Sequence, residues 1–273
     1  MRKKNALLII DAQFDFCNPK GALFVPGSEE DNKRLANFML NNVNEIDYMA
    51  ATLDSHHIND IAHPSFWKDK DGNNPSPFIV ITAQDVRDGK WTPRFTPIDR
   101  VLTYLDELAA QGEYSHVIWP HHCLIGSKGH ALDEIIFDAI KAYEITGKSC
   151  NFVTKGTHPL TEHFGAFRAQ VPIKGVPTTD INMDLLKKLA EYQNVYLAGQ
   201  AKSHCVANTL KQALQYAPEL AKKFIILEDC MSNVPGFENI ADGIYDNARK
   251  AGVRFSTSAQ EKLNQNSGAH TLA

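Results

Sequence analysis

Short apolar runs alternate with longer amphipathic stretches along the whole chain, and this alternation is the feature that most limits the fold. It indicates β-α units around a parallel sheet that is covered on both faces. Strands are expected at residues 6–10 (Ala-Leu-Leu-Ile-Ile), 48–53, 116–119, 151–154, 195–198 and 224–227, with an edge strand at 253–256. That makes a mainly parallel sheet of about six strands. Helical spacing predicts helices over 29–45, 97–110, 131–144, 183–192, 204–217 and 237–250, the first with Ser28 as N-cap before the acidic turn of Glu29 and Glu30. Residues 67–96 break the rhythm. Asn-Asn-Pro-Ser-Pro, the strand-like run Phe78-Ile79-Val80-Ile81-Thr82 and a turn at Asp88-Gly89 read as an inserted loop or hairpin. No repeat, low-complexity tract or linker divides the chain, so one domain over residues 1–273 is expected.

Bulk properties narrow the function by exclusion. A net charge of -4 and a pI near 6.3 offer no basic footprint for nucleic acid or an anionic membrane surface. No run approaches the roughly eighteen apolar residues of a membrane span. The opening Met-Arg-Lys-Lys-Asn and its brief apolar run meet Asp11 without a small-residue cleavage site, so they read as a first strand and the protein as cytoplasmic. Cys17, Cys123, Cys150, Cys205 and Cys230 are scattered, with no C-x-x-C pair, which argues against a disulfide framework and leaves room for a working thiol. A small-molecule partner is what remains.

In open parallel sheets, ligands bind beyond the carboxyl ends of the strands. Here the expected strands end in Asp11, in Asp54 with His56 and His57, in His121 and His122, in Lys155, and in the loop leading to Cys205. Any one of these has a bland reading: a structural cysteine, a loop carboxylate, a solvated lysine, a hydrogen-bonded histidine. Five such ends on one rim are hard to explain by packing. Cys205 opens a helix with apolar positions Val206, Leu210, Ala213 and Leu214, which places its thiol where the helix dipole favours a thiolate and free N–H groups can hold an oxyanion. Asp11 can take the thiol proton and return it to a leaving amine, and Lys155 adds positive charge favouring both anions. Asp54, His56 and His122 form one carboxylate and two imidazoles, a metal set with coordination positions left open. His57, His63 and His121 are left without a role, one of them a candidate for supporting the ligands.

These stretches, in this order, resemble the nicotinamidase branch of the isochorismatase-like cysteine hydrolases. Ile-Ile-Asp11-Ala-Gln-Phe-Asp-Phe16 is similar to the family's opening motif, and Asp54-Ser-His56 with His63-Pro-Ser-Phe66 to its metal-binding strand end. Trp119-Pro-His-His122-Cys123 resembles the element carrying the last metal histidine, Lys155-Gly156-Thr157 with Phe164-Gly-Ala-Phe167 the lysine segment, and Ser203-His204-Cys205-Val206 the nucleophile motif. The match covers most of the chain outside residues 67–114.

The resemblance implies a three-layer α-β-α sandwich and hydrolysis of a carboxamide to an acid and ammonia through a thioester. Asp11, Lys155 and Cys205 would be the triad, and a cis peptide at Gln200-Ala201 would turn the N–H groups of Ala201 and Cys205 toward the oxyanion. A divalent ion, zinc first and iron or manganese next, would hold a pyridine nitrogen between Phe16 and Trp119, with Gln200 also at the substrate. Homo-oligomers are common in the family. Three departures bear on the substrate: a longer spacing from Asp54 to His63, Phe164 where tyrosine is common, and the inserted segment, expected to lid or border the pocket. The competing readings are an amidase for a ureide, carbamoyl or maleamate-type substrate and a catalytically silent binding protein of the same fold. The vinyl-ether hydrolases of the superfamily lack the cysteine.

Overall fold

β1 (Asn5–Ile10) is buried along its whole length, and its side chains alternate between two cores. Leu7 and Ile9 face a core shared with α2 (Ser28–Asn41) and α5 (Glu134–Ile145), through Leu35, Phe38, Met39, Ile136 and Ile140. Ala6, Leu8 and Ile10 face the other, built with α6 (Met183–Ala190), α7 (Ala207–Tyr216) and α9 (Asp242–Lys250). A strand apolar on both faces needs helices on both, and the three layers follow. The computed structural model describes residues 2–263.

Around β1 lie β2 (Ile46–Asp54), β5 (Cys150–Lys155), β6 (Asn194–Gly199), β7 (Phe224–Leu227) and β8 (Arg254–Ser256), in the order β5-β2-β1-β6-β7-β8 with every pair parallel. Short α1 (Phe14–Cys17) follows β1, and α8 (Pro218–Ala221) leads into β7. No helix among the described residues is long and apolar enough to cross a membrane.

Three expectations are corrected. Residues 116–119 are not a strand of this sheet: Val117 bridges Val80 antiparallel, so the run pairs with the inserted segment, and β8 makes up the six. The helix expected over 97–110 forms as α4 (Ile98–Ala110) but packs away from the sheet, its Val101, Tyr104, Leu105 and Leu108 closing a third core with Trp67, Ile81, Val86 and Ile118. The insertion itself is a hairpin of β3 (Trp67–Lys68) and β4 (Thr92–Pro93) enclosing α3 (Ala83–Arg87), whose Thr82 and Asp85 form a capping box. Finally, Ser28 lies inside α2 rather than capping it. Gly27, with a φ of 98°, holds the N-cap position, and the Ser28 hydroxyl donates to the Phe16 carbonyl at 3.1 Å.

Candidate active site

Sheet register decides who meets whom at the carboxyl edge. Asp54 and Lys155 are partners across β2 and β5, and Ile10 pairs with Gly199 across β1 and β6, which brings Asp11 and the Gln200 loop side by side. Asp11 has a φ of 43°, a left-handed conformation that aspartate tolerates better than most side chains and that recurs at functional sites. Its N–H donates to Thr52 Oγ1 at 3.0 Å, and the Thr52 hydroxyl donates back to Asp11 Oδ1 at 2.5 Å. Lys155, fully buried, places Nζ 2.9 Å from Asp11 Oδ2 and 2.9 Å from Asp54 Oδ1, donates to the His163 carbonyl at 2.9 Å, and lies 3.8 Å from Cys205 Sγ. Asp11, Lys155 and Cys205, expected together from their strand ends, do converge.

Burial alone would strip the Lys155 proton, but Asp11 and Asp54 outweigh it and hold the ammonium well above its ordinary range. Burial also opposes the Asp54 carboxylate, yet His56 and Lys155 reverse the balance and hold it well below the usual carboxylate range. For Asp11, burial wins over the pull of Lys155 and raises the carboxyl. For Cys205, burial again prevails over Lys155, helped by the neighbouring Asp11 and Asp54 charges, and keeps the thiol well above its ordinary range. A thiol at rest is what the expected proton transfer to Asp11 requires. A helix terminus favours the anion, but a sulfur buried beside two carboxylates keeps its proton until an acceptor takes it.

The Gln200–Ala201 peptide is cis. After it, Lys202–Val206 forms a π-helical turn in which the Ala201 carbonyl accepts from His204 at 3.0 Å and Val206 at 3.2 Å, passing over the Cys205 N–H. Gln200 does not bring its side chain to the cavity. Its Nε2 donates to Asp31 Oδ2 at 3.0 Å and its Oε1 accepts from Ser232 at 3.1 Å, so it clamps the loop to α2 instead of meeting a substrate.

Asp54, His56 and His122 form a buried group whose ligand atoms lie within 4.8 Å of one another. His122 Nδ1 faces the Pro120 carbonyl at 2.8 Å, and His56 Nδ1 faces Asp60 Oδ2 at 3.0 Å. The network therefore assigns both Nδ1 atoms as donors and turns both Nε2 lone pairs toward Asp54 Oδ2, at 3.0 Å from His56 and 3.4 Å from His122. Three electron-pair donors aimed at one point repel unless a cation is shared between them, so the set fits a metal ion with nitrogen and oxygen preference. With protons alone to satisfy it, the cluster holds His56 as imidazolium: burial opposes that charge, but Asp54 and Asp60 lift its pKa well above the ordinary value.

Cys205 borders a narrow cavity of about 30 Å³ walled by Phe16, Leu23, Trp119, Phe164, His204 and Val234, with Asp54, His122 and Glu162 on its polar side. A larger cavity of about 480 Å³ between α4 and residues 158–176 contains none of the triad or metal-set side chains, so chemistry rather than volume locates the site. Sequence reasoning missed Thr52, Asp60 and Glu162. Glu162 is raised to about 8 by burial and shares a buried cluster with His56 and Asp60. Asp60 and Glu162 arrive from loops with no strand-end signal, and Thr52 looks like any strand threonine. Of the histidines left without a role, His63 stands 3.3 Å from His122 and His121 bonds Ser65 at 2.9 Å.

No protein-family model matches the chain. The curated nicotinamidase of Saccharomyces cerevisiae is 27% identical over 223 residues, covering 82% of this chain and 85% of that protein. Among solved structures, the yeast nicotinamidase bound to the inhibitor nicotinaldehyde superposes with a TM-score of 0.63 at 20% identity, over 93% of this chain and 99% of that one. The Acinetobacter baumanii nicotinamidase/pyrazinamidase gives 0.63 at 19%, over 95% and 98%. The Pyrococcus horikoshii pyrazinamidase in complex with zinc gives 0.53 at 19%, over 93% and 99%. The sequence match to the yeast nicotinamidase thus runs over most of both chains, and the chain shares its fold with solved nicotinamidases and pyrazinamidases.

Proposed function

We propose that the chain is a metal-containing cysteine amidohydrolase that converts nicotinamide, or a close pyridine carboxamide, to the acid and ammonia. The observation that carries this reading is the meeting of Asp11 and Lys155 with Cys205, which borders an aromatic-walled cavity also lined by Asp54 and His122 of the metal set. The likeness to yeast nicotinamidase supports the choice of substrate.

Asp11 Oδ2 faces Lys155 without an aligned hydrogen bond, which leaves it a lone pair to accept the Cys205 proton. The sulfur then attacks the amide carbon, and the N–H groups of Ala201 and Cys205 receive the oxyanion. As the C–N bond breaks, Asp11 passes its proton to the nitrogen and ammonia leaves, with the acyl group held as a thioester on Cys205. Asp11 next takes a proton from water, which attacks the thioester. The C–S bond breaks, the acid departs and the thiol is restored. Lys155 keeps the ion count of the buried site in balance throughout. A divalent ion held by Asp54, His56 and His122, zinc before iron or manganese, would act as a Lewis acid that docks the pyridine nitrogen. Phe16 and Trp119 flank the ring. Five free thiols suit a reducing compartment, which supports a cytoplasmic location.

Ammonia release from nicotinamide by metal-replete protein, beside Cys205→Ala and a chelator-treated sample, tests the reading. Release that needs both cysteine and metal supports it. No release from a protein whose Cys205 still alkylates ends the pyridine carboxamide reading and turns the search to ureide and carbamoyl amides.

A further inference from the structure

We propose that Phe78, carried by the inserted segment, is a positioning residue that holds Trp119 at the substrate cavity; this rests on the amidase reading above. The run at 116–119 has no neighbour in the central sheet and is held from two sides. On one side Val80 bridges Val117, Ile118 donates its N–H to the Ile79 carbonyl at 2.9 Å, and Phe78 donates to the Ile118 carbonyl at 2.5 Å. On the other side the Trp119 N–H donates to the Ala62 carbonyl at 2.8 Å. The insertion thus supplies the neighbouring strand for the run that delivers Trp119 and, shortly after it, His122.

Within that pairing Phe78 is out of place as a core residue. Ile81 and Val86 fill the insertion's own core, whereas Phe78 is 53% exposed and has a φ of 70°, a conformation that bulky side chains adopt only against their steric preference. A half-exposed aromatic on a strained backbone gains little from burial, and such outliers point to a role in function. The ring it touches is Trp119, edge-on at 6.0 Å between centroids and 90° between planes, the arrangement that aromatic quadrupoles favour. Besides Phe78, the Trp119 ring meets His204 at 5.2 Å and Phe237 at 5.6 Å, so it is held between the nucleophile turn and the insertion. No insertion residue lines the cavity, so the segment borders the pocket through Trp119. Loss of the Phe78 edge frees Trp119 and weakens its grip on a substrate ring while leaving the sulfur chemistry in place.

The test compares wild type, Phe78→Ala and Phe78→Tyr by steady-state kinetics on nicotinamide, with the thermal midpoint of each. Phe78→Ala is expected to raise KM about three- to tenfold with kcat within about twofold and no change in midpoint, and Phe78→Tyr to restore KM. A second measurement needs no turnover: mass-mapped alkylation of Cys205 by iodoacetamide and by the bulkier N-ethylmaleimide. Phe78→Ala is expected to favour the maleimide at least about threefold relative to wild type, because the wall has loosened. An unchanged KM together with an unchanged alkylation ratio overturns the proposal. So does a fall in kcat at constant KM with a lowered midpoint, which would make Phe78 structural. A wild type inactive on nicotinamide removes the amidase reading alone, and the alkylation ratio still decides Phe78.

Discussion

Asp54 and Lys155 are register partners on adjacent parallel strands, and their side chains close to 2.9 Å with Asp11 on the ammonium's other side, also at 2.9 Å. One buried cation therefore serves two buried carboxylates. Replacing it strands both, and removing one member of a buried ion pair costs about 3–5 kcal/mol. Lys155→Met should lose about that much in urea unfolding of the metal-free protein at neutral pH. Lys155→Met combined with Asp11→Asn should recover part of the loss, since one stranded charge is gone. A single variant as stable as wild type would show that the pair is not charged as described.

Asp11 should behave in the opposite way. Its folded pKa is raised from 3.8, chiefly by burial, so the unfolded chain loses the proton first. Ionised Asp11 then costs stability as pH climbs from 3.8 through the folded value, and the cost persists at neutral pH. Asparagine keeps an oxygen for the Thr52 hydroxyl. Asp11→Asn should match or exceed the wild-type thermal midpoint at pH 7, with the gain vanishing in acid, while turnover drops at least about a hundredfold. A midpoint clearly below wild type at pH 7 would contradict the raised pKa.

The raised Cys205 thiol sets a pH profile. Alkylation by iodoacetamide should be slow at neutrality and still climbing at pH 9, the ordinary thiol value, without a plateau near pH 7. Above pH 9 the unfolded thiol ionises while the folded one keeps its proton, so stability should fall there, and Cys205→Ala should remove that part of the fall. A neutral-pH plateau would instead reveal a resting thiolate.

Asp60 holds His56 by its Nδ1 and also accepts the Ala62 N–H at 3.0 Å. Carboxylates so placed orient a ligand histidine and raise its basicity, and their loss typically costs 10–100-fold in metal affinity. Asp60→Asn keeps an acceptor oxygen but no charge, so zinc affinity, read by competition with a chromophoric chelator, should fall about tenfold or more. Two zinc ions per chain, or undiminished affinity in the variant, would mean that Asp60 does something else.

The parallel strands and their helices were legible because burial on both faces leaves a periodicity that no polar surface element shares. The run at 116–119 was read as a strand of the same sheet because an apolar run looks alike whichever edge it pairs with. Val80 and Val117 sit far apart along the chain, and only the folded backbone shows that they bridge. Thr52 and Glu162 escaped notice for a related reason: their importance comes from the atoms facing them, and those atoms belong to other segments, whereas Asp60 meets His56 only four residues away but in a loop without periodicity.

By itself the sequence determined that Asp11, Asp54 with His56, Lys155 and the loop to Cys205 stand at strand ends, since the alternation of apolar runs sets where each of those strands stops. The protonation of those side chains was decided only by tertiary structure. Lys155 stays charged, Asp11 and Cys205 resist charge, and His56 is lifted, because each value is set by burial and by the charges it meets across strands and loops. Register and loop packing place those charges, and neither is written in any one segment of the chain.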